Sequence, residues 1–115
     1  MSARSPRRRA APLRKSALLF AALGDETRLH IVTRLGTHGP LSIVNLTEGT
    51  GVTRQAITKH LRVLSRAGLV RGRRAGREKL WRLEPAQLAA ARASLERISA
   101  QWDAGLARLK DFVEP

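Results

Sequence analysis

The sequence predicts a mainly α-helical domain carrying one small β-hairpin, and three observations point there. Alanine and leucine dominate the apolar residues, while the 115-residue chain holds only two Trp, two Phe and no Tyr, a balance that suits helices better than a sheet sandwich. Capping residues, glycines and prolines cut residues 16–112 into segments of helical length. One arginine-rich stretch around Gly72 and Gly76 instead has the form of two short strands and a tight turn. A chain of this length supports one domain with a single core.

Local signals place each element. Residues 1–15 (MSARSPRRRAAPLRK) carry two prolines and basic but no acidic side chains. They read as a disordered basic tail, either an arm for phosphates or an inert extension, ahead of a domain spanning 16–115. Residues 16–23 (SALLFAAL) form a short apolar helix ended by Gly24. Asp25 caps a second helix through Leu35, with Leu29, Ile31, Val32 and Leu35 on its core face. Turn formers fill 36–40. Ser42 caps a short third helix to Glu48, and Thr53 caps a fourth that runs to Ala67 and stops at Gly68. Strands at 69–74 and 78–83 flank Ala75, Gly76 and Arg77, and Pro85 opens a last helix to about Phe112.

The formal charge of +13 is unevenly spread. Residues 54–82 hold ten basic side chains against Glu78 alone, whereas the segments on either side are close to neutral. A merely solvated face would mix in carboxylates, so the block reads as a footprint for a polyanion. On a wheel of 100° per residue, Arg54, Gln55, Thr58, Lys59 and Arg62 fall on one side of the fourth helix. Ile57, Leu61 and Leu64 fall on the other. With the third helix and a short turn before it, this is a helix-turn-helix, whose outer face can enter a DNA major groove. Thr53 also exposes the helix N-terminus to phosphate. The hairpin beyond it is a wing, with Arg77 at the tip and Arg73 and Arg74 beside it suited to a minor groove or phosphate rail.

In the last helix, Leu88, Leu95, Trp102 and Leu109 occupy one heptad position, with Ala91 and Ile98 at the other. This stripe, with Leu18 and Leu19 of the first helix, is expected to form a homodimer seam, since symmetric DNA readers set two reading helices one turn apart. Double-stranded DNA and a second copy are therefore the expected partners. The apolar runs are too short for a membrane span, and the cytoplasm is the expected location. Without cysteine there is no thiolate chemistry, and no nucleophile, phosphate loop or carboxylate–histidine pair indicates an enzyme. A non-specific architectural protein, binding through charge alone, is the alternative.

Four runs, ALGDETRL (22–29), QAITKHLRVL (55–64), AGLV (67–70) and RAGR (74–77), resemble the ArsR/SmtB family of winged helix-turn-helix repressors. The resemblance spans about 17–112. It implies a homodimer that binds an operator, often beside its own gene, and blocks transcription. In metal-sensing members a Cys-Val-Cys motif lies on the third helix, where this chain has Ser42, Ile43 and Val44, and the last helix here contains no histidine. The resemblance therefore implies the branch without metal or other known cofactor, with the effector left open. Of the three histidines, His30 and His38 lie outside the fourth helix, and His60 is expected to be packed and hydrogen-bonded within it.

Overall fold

A computed structural model describes residues 6–113. Its elements are α1 (Pro6–Leu23), α2 (Glu26–His38), α3 (Ile43–Thr47), α4 (Arg54–Arg66), β1 (Val70–Ala75), β2 (Glu78–Leu83) and α5 (Pro85–Val113), in that order. The mainly helical architecture with one antiparallel hairpin is the one expected.

The caps set the helix starts. Asp25 accepts from the Arg28 backbone N–H, Ser42 from that of Asn45, and Thr53 from that of Ala56. Each satisfies an orphan donor of the first turn. Two boundaries differ from expectation by more than one residue. Helix α1 begins at Pro6, ten residues before the predicted start, so the segment read as a disordered tail is helical from Pro6 onward. The arginines and alanines that suggested disorder are also strong helix formers, and proline suits a first helical position. The arm expected of residues 1–5 lies outside the described residues. Helix α2 runs on through Gly36 to His38, because its stop is Gly39, whose N–H bonds to the Leu35 carbonyl at 3.0 Å.

Leu19 and Ala22 of α1, Ile31 and Leu35 of α2, Leu46 of α3, and Ile57, Leu61 and Leu64 of α4 form one buried cluster with Leu69, Val70, Trp81 and Ala91. Helix α4 passes into the hairpin through Gly68, whose φ of 78° suits only glycine readily. Backbone bonds from Gly68 to the Ser65 carbonyl and from Leu69 to the Leu64 carbonyl, both 2.9 Å, close the helix end. The hairpin pairs Val70 with Leu83, Gly72 with Trp81 and Arg74 with Lys79. Its second strand is anchored on the other edge too, where Leu41 and Trp81 exchange backbone bonds of 3.0 and 2.8 Å.

Gly72 makes room for the Trp81 ring. A Cβ at this position would lie 3.2 Å from two ring carbons and 2.5 Å from the Lys79 Cε. Lysine can swing away, but the ring is nearly buried. We therefore expect Gly72→Val to lower the unfolding free energy by about 1–3 kcal/mol, as overpacking does, measured by urea denaturation followed through tryptophan fluorescence. An unchanged midpoint would show that the ring moves aside freely.

Candidate nucleic-acid interface

The inner face of α4 is fully buried through Ile57, Leu61 and Leu64, so its opposite side faces solvent. Arg54, Gln55, Lys59 and Arg62 project there, all exposed. Thr53 is exposed as well, but its Oγ1 is already engaged as the cap, accepting from Ala56 at 3.1 Å. Thr58 is only half-buried and its hydroxyl donates to the Arg54 carbonyl at 2.8 Å, which leaves lone pairs but no free proton for a ligand. The four long donors thus share one exposed side of α4, and the two threonines are engaged in local backbone bonds.

In the hairpin the structure divides side chains that look equivalent in sequence. Arg71 and Arg82 stand opposite each other across the strands, and both reach Glu84 at 3.4 Å. Their charge is partly neutralised within the chain. Lys79 sits over the Trp81 ring, its Nζ 4.7 Å from the centroid. Arg73, Arg74 and Arg77 make no ion pair among the described residues, and all three are exposed near the tip. Arg73 and Arg74 point to opposite faces of the ribbon, as strand neighbours must. Arg74 also lies directly across from Lys79, a like-charge pairing of the kind that is unfavourable on a strand pair.

A polar link, missed by sequence reasoning, holds α4 to the helices behind it. Arg28 donates from Nε to the Ala22 carbonyl and from Nη2 to that of Ala21 at 3.4 Å, capping the end of α1. Its Nη1 lies 3.3 Å from Nδ1 of His60 on α4, and that same ring nitrogen is 3.8 Å from Oδ2 of Asp25. His60 is therefore packed and bonded, as expected. A second guanidinium, Arg34, donates to the Asn45 carbonyl of α3 at 2.6 Å. Neither contact has a signal in sequence spacing, because each joins an arginine to a distant carbonyl or ring. At the positions where a thiolate pair would sit, Ser42 caps α3 and donates to Asn45, while Val44 is exposed.

The expected dimer residues separate into two groups. Leu19 is only 2% exposed and Leu88 packs against the same core, so both are corrected to core residues of their own chain. Adjacent leucines on a helix point 100° apart, and the Leu19 side is the one that α5 and α4 cover, leaving Leu18 exposed. Helix α5 meets α1 through a bond of 2.6 Å between Ser94 and Ser16, and among the described residues none after Ser94 is buried. Leu95, Ile98, Trp102 and Leu109 are all uncovered, with Trp102 70% exposed. With Leu106 and Val113 they form a stripe at helical spacing, and Leu106 takes the place that Gly105 leaves empty in the heptad.

Comparison with known proteins gives consistent results. A helix-turn-helix domain family matches residues 23–73. The HTH-type transcriptional regulator Rv2034 of Mycobacterium tuberculosis is 43% identical over 92 residues, covering 80% of this chain and 85% of that protein. The arsenical resistance operon repressor of Escherichia coli is 37% identical over 67 residues, 58% of this chain and 57% of its own length. Among solved structures, an ArsR-like transcriptional regulator from Rhodococcus sp. RHA1 superposes with a TM-score of 0.72 at 43% identity, covering 89% of this chain and 95% of the other. The homodimeric winged helix-turn-helix DNA-binding domain Mb0332 of Mycobacterium bovis, solved in solution, gives 0.69 at 29% identity, with 88% and 91% covered.

The carboxyl of Asp25 is held below its ordinary value of 3.8, first by the Arg28 backbone N–H and then by the charges of His60 and Arg28. A depressed folded value means a stabilisation that is complete above the unfolded value and lost as pH falls through the folded one. Asp25→Asn keeps a capping oxygen but removes the charge. Its unfolding free energy should lie below that of the wild type near neutral pH, and the gap should close below about pH 4. Denaturation curves across that range check this, and a gap independent of pH would contradict it.

Proposed function

The chain belongs to the ArsR family of winged helix-turn-helix transcriptional regulators, and from that premise we propose that it is a homodimeric repressor which occupies an operator and blocks transcription. Its action on DNA follows from the family. The finer reading concerns how it grips.

Helix α4 enters the major groove with Arg54, Gln55, Lys59 and Arg62 outward. Gln55 and Arg62 read base edges, because a planar amide suits adenine and a guanidinium fork suits guanine. Arg54, Lys59 and Thr53, whose hydroxyl proton is still free, hold phosphates, with the capped N-terminus adding its own N–H groups, whereas Thr58 spends its proton on the Arg54 carbonyl and would have to turn to join them. Arg77 enters the minor groove at the wing tip, and Arg73 and Arg74 follow the phosphates on either side of it. The observation that carries this reading is the division of charge in the hairpin. The cations near the domain are matched by Glu84, while those at the tip are unmatched, and Arg74 is held against Lys79. Such an arrangement is relieved by a polyanion and by little else.

The exposed stripe of α5, with Leu18, joins two copies so that the two reading helices face successive turns of duplex. Residues 95–113 rise about 28 Å at 1.5 Å each, enough for a seam that one small domain does not need for itself. The likeness to the homodimeric Mycobacterium bovis domain supports this. The regulator is proposed to act where its DNA is, in the cytoplasm, and without a metal. Among the described residues no helix is long and apolar enough to cross a membrane.

Three variants test these roles. Arg62→Ala and Gln55→Ala should each cost about 1–3 kcal/mol at the preferred site and relax base choice at one position. Arg77→Ala should weaken all duplexes more evenly and make the salt slope shallower by about 0.9 for each phosphate that is no longer neutralised. Titrations of matched and mismatched duplexes at several salt concentrations separate the two patterns; an even loss from Arg62→Ala would remove it from base reading. Trp102→Asp should yield monomers with a large loss of operator affinity, and sedimentation showing an intact dimer would refute the seam.

A further inference from the structure

His60 lies on the side of α4 opposite its reading face, at about 100° per residue, and its ring is half-buried. Its Nδ1 is 3.3 Å from Nη1 of Arg28 and 3.8 Å from Oδ2 of Asp25. A guanidinium has donors only, so Nδ1 accepts from Arg28 and the neutral ring carries its proton on Nε2. The same guanidinium donates to the carbonyls of Ala21 and Ala22 at the end of α1. Its own backbone is fixed by the 3.0 Å bond to the Asp25 cap. One side chain of α2 thus bonds α1 on one side and α4 on the other. Asp25 and Arg28 are the charged groups that face the ring. Residues 16–23 of α1 and all of α3 carry no ionisable side chain, and Ala56, Ile57, Val63 and Leu64 are the neighbours of His60 one turn away on α4. The arginines of β1, the other element against α4, are exposed.

We propose that Arg28 and His60 are positioning residues for DNA reading: their bond sets α4 against α1, the helix that carries Leu18 of the pairing seam, and so sets one reading face against that of the second copy. This rests on the paired, base-reading arrangement argued above. Neither side chain touches DNA; both act through the placement of Gln55 and Arg62. Base-edge contacts tolerate little misplacement, because a hydrogen bond of about 2.9 Å is no longer one at about 3.6 Å. Attraction to phosphate falls off gently with distance. Loss of the bond therefore weakens binding to a preferred site more than binding to any duplex. The bond also requires a neutral ring. A proton on Nδ1 removes the acceptor, sets a cation beside Arg28, and leaves an N–H that can donate to Asp25 instead. The Arg28 backbone N–H holds the Asp25 carboxyl below its ordinary value, so it is charged and ready to accept wherever imidazoles titrate.

The test uses the full chain and two labelled duplexes, one carrying the motif selected from a random library and one with that motif scrambled. Its readout is the ratio of the two affinities, because added positive charge strengthens binding to every duplex alike. At about pH 8, where imidazoles are neutral, His60→Leu should lower the ratio about tenfold while its urea midpoint stays at the wild-type value. His60→Asn sets an acceptor oxygen near the place of Nδ1 and should restore most of the ratio. Arg28→Met should cost a similar factor, and Arg28→Met with His60→Leu no more than the larger single loss, since both break one bond. Between about pH 8 and pH 5.5 the wild-type ratio should fall about tenfold, and that of His60→Asn should stay constant. The proposal is overturned by an undiminished ratio in His60→Leu, by losses that follow the urea midpoint, by additive losses in the double variant, or by parallel pH profiles in the wild type and His60→Asn. A wild type that binds both duplexes equally overturns it too, and that result alone rejects base reading itself.

Discussion

What the outer side of α4 can do depends on how its inner side is buried. Ile57, Leu61 and Leu64, spaced at i, i+4 and i+7, are sealed completely against α1, α2, α3 and β1. Burying one such side chain contributes about 1.5–3 kcal/mol, whereas an exposed ion pair contributes about 0–1 kcal/mol. The packing therefore sets the rotation of the helix, and Arg54, Gln55, Lys59 and Arg62 are left facing outward as a consequence. Arg28 supplements this by tying the carbonyls that end α1 to His60 on α4.

The same separation of duties recurs in the hairpin. Trp81 and Val70 seat one face in the core, Gly72 admits the ring, and the bridge to Leu41 stops the second strand from peeling away. Held in this way, the ribbon can carry like charges directly across from each other. Near the base the repulsion between Arg71 and Arg82 is answered by Glu84. Toward the tip Arg73, Arg74 and Arg77 have no such carboxylate partner among the described residues. In α5 the first turns, up to Ser94, join the domain, and the remainder carries an exposed apolar stripe, Leu95 to Val113, among charged residues.

Much of this was legible in sequence, for physical reasons. A cap is a local event, so Asp25, Ser42 and Thr53 marked their helices correctly. The amphipathic division of α4 is likewise local, and it placed Arg54, Gln55, Lys59 and Arg62 outward. Glycine at Gly68 and Gly76 announced a helix stop and a hairpin turn. What stayed hidden depends on contacts between distant residues. Leu18 and Leu19 have the same chemistry, and only the packing of α5 and α4 around α1 decides which is buried. Leu88 belongs to a heptad on paper but lies where the helix still touches its own core. The arginines of 7–9 suit a helix as well as a disordered arm. Glu84 falls just past the basic block, and its pairing with Arg71 and Arg82 emerges only once the strands are in register.

The central claim is that paired copies read sequence, and do not merely adhere to charge. Selection of bound duplexes from a random library, followed by sequencing, addresses it most directly. The account predicts enrichment of one motif with two-fold symmetry, its half-sites centred about 10 base pairs apart or a multiple of that. Recovery of fragments with no shared motif, at an affinity set only by salt, would contradict it.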